Sequence, residues 1–233
     1  MIVLLPGMDG TGTLFEPLLA CLPPVCDVQI IGYPAERHLT YEQLEAYVLE
    51  RLPTGRSFLL MAESFSGPLA LRLTERIGPD LRAVILVCSF ASRPLGWWGL
   101  LLSRLPLGLM LRLPLPDLIL RYFLLGRTAS DALVRRTREV ISAVNQEVLV
   151  ARLRQALTVD YGARAILCST PVIALYATND CLLGRRACQS ISKMCPRATV
   201  QAISVPHFAL QSVPADVVRT LAGLGILADE ACS

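Results

Sequence analysis

The 233 residues predict an α/β protein built on a mainly parallel sheet, and three observations carry the prediction. Short continuous apolar runs alternate with segments of helical periodicity, the runs stop at turns bearing glycine or proline, and 53% of all residues are apolar. A strand that is apolar at every position is buried on both faces, which is the condition of a parallel strand covered by helices on either side. The length suits one domain with a full core and at most one large insertion.

The elements follow in order. Residues 2–5 form the first strand, which stops at Pro6-Gly7-Met8-Asp9-Gly10-Thr11-Gly12, and residues 14–22 read as a short helix. Residues 28–31 form the second, ending at Gly32-Tyr33-Pro34; residues 40–52 then carry helical spacing at Leu44, Tyr47, Val48 and Leu52 behind Thr40 as N-cap. Residues 57–62 are a third strand running into a helix over 66–76, and 83–88 are a fourth. The alternation lapses over 92–164, where an apolar, proline-broken stretch precedes a charged helical segment at 130–157. Strands resume at 172–176 and 199–205, and a helix over 214–224 closes the chain. The expected organisation is one domain over 1–233, with a core of 1–91 and 165–233 and a helical insertion at 92–164.

Composition narrows the function. The net charge of +3 is small and the arginines are scattered, which argues against a nucleic-acid partner. Positive mean hydropathy excludes disorder and points to an apolar pocket or surface. Residues 94–126 are no membrane span, because Arg104, Arg112 and Arg121 interrupt them and Pro106, Pro114 and Pro116 break any single helix. Peripheral lipid contact stays open. The cysteines at 21, 26, 88, 168, 181, 188, 195 and 232 include no C-x-x-C pair and no zinc spacing, so reduced thiols are expected. The start of the chain lacks the basic opening and long apolar stretch of a signal peptide, which makes a cytoplasmic location the expectation.

The chemistry concentrates at Met61-Ala62-Glu63-Ser64-Phe65-Ser66-Gly67, between a strand and a helix. Exposing a hydroxyl at such a corner strains the backbone and requires small neighbours, a need met by Ala62 and Ser66. Alone, the segment also fits a serine N-cap. The segment resembles the nucleophile elbow of the α/β-hydrolase superfamily, G-x-S-x-G, with Ala62 and Ser66 replacing both glycines. A serine hydroxyl needs a base. His38 sits in a loop with no helper pattern, whereas His207, in Val205-Pro206-His207-Phe208, follows the last strand, where the resemblance implies the base. Asp180, in Thr178-Asn179-Asp180 after the penultimate strand, is at the family's acid position, although Asn-Asp is also plain turn chemistry. The order Ser64, Asp180, His207 is the superfamily's. The resemblance further implies an oxyanion hole from the backbone N–H groups of Phe65 and of Met8, the latter in Leu5-Pro6-Gly7-Met8, where Pro replaces the His of an H-G-x turn. Asp9 and Glu63 are taken as turn and supporting residues.

Within the superfamily the chain is similar to bacterial esterase and thioesterase-like members and to the hydrolase part of plant acyl-ester synthases. This implies an α/β-hydrolase fold of about six mainly parallel strands, trimmed so that its first strand is the family's third, with the insertion as a helical cap. The implied activity is serine hydrolysis of carboxylic esters or thioesters with an apolar acyl group, without cofactor or metal. An acyltransferase using the same residues and a non-catalytic ligand-binding protein are the alternatives.

Overall fold

A computed structural model describes residues 1–111, 116–160 and 170–227. The inner edge of the insertion at 164, together with Arg112, Pro114, Cys168 and Cys232, lies outside the described residues. The strands are β1 (Ile2–Leu5), β2 (Val28–Ile30), β3 (Phe58–Glu63), β4 (Leu81–Val87), β5 (Val172–Ala177) and β6 (Thr199–Ile203). They form one sheet in the order β2-β1-β3-β4-β5-β6, parallel throughout. The central strands β1 and β3 are buried at every position, as their unbroken apolar runs require.

Apolar layers cover both faces. On one side Val3, Leu5, Leu60 and Val84 pack with Leu44, Val48 and Leu69 from α2 (Tyr41–Leu49) and α3 (Gly67–Leu73). On the other Ile2, Leu4, Met61 and Ile85 pack with Leu18 of α1 (Glu16–Leu19). Thr40 caps α2 through a reciprocal box with Gln43, satisfying two otherwise unpaired N–H groups.

Between β4 and β5 the described chain is helical: α4 (Trp97–Ser103), α5 (Leu107–Met110), α6 (Asp117–Leu120), a π-helical turn at Arg121–Leu125, α7 (Asp131–Ala143) and α8 (Gln146–Thr158). The charged segment expected as one helix is two, since Asn145 opens α8 by accepting the Glu147 N–H at 2.8 Å. A helix the sequence reading passed over, α9 (Arg185–Met194), joins β5 to β6, and α10 (Ala209–Ser212) and α11 (Pro214–Gly223) finish the chain. Cys26 is disulfide-bonded, against the expectation of reduced thiols, whereas Cys21, Cys88, Cys181 and Cys188 are free. No helix of the described residues is long and apolar enough to cross a membrane.

Candidate active site

In a parallel sheet all strands deliver their C-terminal ends to one edge, where functional loops of such folds gather. β3 delivers Ser64, β5 the loop with Asp180 and β6 the loop with His207. Ser64 and Cys88, at the ends of neighbouring strands, are the two non-glycine residues with positive φ among the described residues, Ser64 at +45°. That conformation costs on the order of 1–3 kcal/mol and has to be held by its surroundings.

The holding contacts are specific. Ser89 Oγ donates to the Ser64 carbonyl at 2.6 Å, and the Tyr41 hydroxyl donates to the Phe65 carbonyl at 2.8 Å. Gly67 allows a close approach, because a Cβ at 67 would stand 1.8 Å from Ser89 Oγ and 2.9 Å from the Phe90 carbonyl. Ser66 donates its hydroxyl to the Pro6 carbonyl and meets the Tyr33 hydroxyl at 2.5 Å, tying the Ser64 corner to the turn after β1. In the sequence Ser66 has a role through size alone; its hydroxyl chemistry emerges only from the packing.

The fold brings together the side chains of the three residues expected at the site. Ser64 Oγ is 3.0 Å from His207 Nε2, and His207 Nδ1 is 2.6 Å from Asp180 Oδ2. Only an acceptor faces Nδ1, so that nitrogen carries the proton and Nε2 is left to accept from the Ser64 hydroxyl. Asp180 Oδ1 accepts the Leu182 and Leu183 N–H groups at 2.7 and 2.8 Å. The loops of Asp180 and His207 are stitched by Thr178 N–H to the Ile203 carbonyl (2.9 Å) and Asn179 N–H to the Val205 carbonyl (3.3 Å). Both side chains, Asp180 and His207, are 2% exposed. His38 lies elsewhere, bonded to Gln155 at 2.7 Å.

Met8 and Phe65 donate their N–H groups to no acceptor among the described residues. The Gly7 N–H, by contrast, is engaged by Glu63, and the Gly7 carbonyl accepts from Gly10 at 3.1 Å, which polarises the Gly7–Met8 peptide. Glu63 is fully buried and its pKa is pushed up to about 8, first by burial and then by Asp9; Gln211 donates to one of its oxygens at 3.2 Å and the other has no hydrogen-bond partner among the described residues.

Sequence reasoning missed Arg152. It comes from α8, is 2% exposed, and donates to the carbonyls of Met8 (3.1 Å), Asp9 (2.7 Å) and Pro34 (2.9 Å). A Cβ at Gly10, where φ is +74°, would lie 2.4 Å from this guanidinium. The helical segment thus grips the turn that presents the Met8 N–H. The sequence signal was faint: one arginine on the apolar flank of a charged helix.

A cleft of about 890 Å³ borders the loops of Asp180 and His207, lined by Tyr122, Arg127, Leu133, Cys181, Pro206 and Gln211 among others. Neither Ser64 nor His207 lines it. Among the described residues no group of three His, Cys, Asp or Glu side chains could hold a metal ion.

No family model matches the chain, and no curated sequence is similar to it. Solved structures are. An enol-lactonase from Burkholderia xenovorans LB400 superposes with a TM-score of 0.75 at 16% identity, covering 95% of this chain and 89% of its own. An extracellular α/β-hydrolase from a Paenibacillus species gives 0.71 at 15% identity over 95% and 97% of the two chains. A hydrolase from Oleispira antarctica gives 0.71 at 13% identity over 96% and 89%. The strand order, the parallel sheet and these superpositions over nearly the full length agree: the chain has the α/β-hydrolase fold.

Proposed function

We propose that the protein is a serine hydrolase that cleaves carboxylic esters or thioesters with an apolar acyl group. The observation that carries this reading is the run of hydrogen bonds from Ser64 through His207 to Asp180, starting at a serine held with φ +45°. His207 Nε2 takes the Ser64 proton as Oγ attacks the substrate carbonyl, and Asp180 stabilises the resulting imidazolium. The developing oxyanion falls to the Met8 and Phe65 N–H groups, each worth about 3 kcal/mol in such a site. His207 then protonates the departing alcohol or thiol, and water repeats the cycle on the acyl-enzyme.

The helical segment over 92–164 acts in this reading as a cap, supported by the contacts of α8 with the Met8 turn and by the Phe208 N–H bonded to the Leu124 carbonyl at 2.8 Å. Leu125, Leu133 and Pro206, which line the neighbouring cleft, support an apolar acyl group, and an enol-lactonase among the similar structures fits attack on an ester-type carbonyl. The test is labelling with a fluorophosphonate probe followed by peptide mapping. A single adduct on Ser64, lost in Ser64→Ala and in His207→Ala, is the expected result; an unlabelled wild-type protein that unfolds cooperatively overturns the reading.

A further inference from the structure

Helix α4 is oriented the wrong way round for water. Its inner face carries Gly99 and Ser103, one turn apart, against α8: a Cβ on Gly99 would stand 2.8 Å from the Leu157 carbonyl, and Arg154 donates to the Ser103 carbonyl at 3.3 Å. The outer face presents Trp97, Leu101 and Leu105 in one row and Trp98 and Leu102 beside it, with exposures of 59, 45, 42, 55 and 37% in that order. Leu109 of α5 adds a further side chain at 64% exposure. The two indoles stack on each other, centroids 3.9 Å apart, and both are more than half exposed. A surface helix normally turns its polar side outward, and a patch of this kind marks a binding face.

Charge selects the partner. Residues 92–127 contain Arg93, Arg104, Arg112, Arg121 and Arg127 against Asp117 alone; Arg93 and Arg121 pair with Asp160 and Asp131, whereas Arg104 and Arg127 make no ion pair among the described residues. Arg104 and Arg154 sit exposed beside the apolar rows and make no ion pair among the described residues. Two copies meeting through this face would set like charges together, since a two-fold contact pairs a patch with itself. An anionic lipid surface accepts both parts: indoles and leucines enter the acyl boundary while arginines reach the phosphates.

We propose that the α4–α5 face docks the protein on anionic bilayer surfaces. The inference is independent of the hydrolase reading, because docking is measured without turnover. The chain has two tryptophans, both on this face, so intrinsic fluorescence reports it directly. With vesicles of mixed phosphatidylcholine and phosphatidylglycerol, tryptophan emission shifts to the blue and the protein co-sediments; pure phosphatidylcholine binds it more weakly, and high salt removes the difference. The double variant Leu101→Ser/Leu105→Ser keeps both reporters and loses vesicle affinity by at least about tenfold. Arg104→Glu lowers the preference for anionic vesicles. Turnover of a water-soluble aryl ester stays at the wild-type level in both variants, and its absence in the wild type would count against the hydrolase reading alone. No emission shift and no co-sedimentation with either vesicle overturns the proposal, as does a concentration-dependent dimer that Leu101→Ser/Leu105→Ser abolishes.

Discussion

Two buried carboxyl groups flank Ser64, and the fold treats them in opposite ways. Asp180 is surrounded by donors: two backbone N–H groups on one oxygen and the His207 ring on the other. Glu63, the residue before Ser64, has the Gly7 N–H and the Gln211 amide on one side, a bare oxygen on the other, and Asp9 nearby. The first environment suits a group that must support a cation when proton transfer occurs. The second holds its carboxyl protonated to about pH 8 and makes it a neutral strut under the turn of Met8. Equal burial therefore says little about role; the number and direction of donors decide it.

This contrast can be broken by experiment. Ser64→Ala, which removes the group both carboxyls serve, lowers kcat for an aryl ester by roughly 10⁴- to 10⁶-fold while the thermal unfolding curve keeps its shape. Asp180→Asn costs about 10⁴-fold in kcat, because an amide favours the wrong imidazole tautomer. Arg152→Met leaves three carbonyls without their donor and costs on the order of 3 kcal/mol in denaturant unfolding. It also lowers kcat more than it raises KM if, as proposed, the Met8 N–H acts on the transition state; a loss of stability with unchanged turnover would show that the grip is architectural only.

Glu63→Gln gives the smallest change, under about tenfold in kcat, because it replaces a neutral acid by a neutral amide. If it costs as much as Asp180→Asn, the contrast fails. Its clearer signature is in stability. The folded carboxyl keeps its proton to about pH 8 whereas the unfolded one releases it near 4.5, so the unfolded state binds fewer protons between these values. Wild-type stability accordingly falls as pH rises through that interval and levels off above it, by on the order of a few kcal/mol. In Glu63→Gln this part of the slope is absent, and urea midpoints measured across the interval read the difference.

The sheet was legible because apolar runs bounded by glycine and proline leave a parallel strand few alternatives, and β1, β3 and β5 fall within a residue or two of their expected spans. Ser64 was legible because strand, small residue, serine and helix follow in line. α9 was passed over because its polar face, with Arg185, Arg186, Gln189 and Lys193, hid the few apolar positions that bury it. The break at Val144-Asn145 was missed because both sides of it are equally helical in composition.

His207 and Asp180 became candidates through the resemblance to the superfamily's chain order, and by itself the sequence determined the order of the six strands along the chain and the strained corner at Ser64. It did so through local physics, since hydrophobic runs, turn residues and small side chains act within a few residues of themselves. Only the tertiary structure decided that Ser66 ties the corner to Pro6, that Gly67 allows the close approach of Ser89, that Arg152 reaches from α8 to the Met8 turn, and that Glu63 stays protonated where Asp180 is ringed by donors. These depend on partners up to 148 positions away, and both burial and donor count are properties of the folded surroundings rather than of the residue.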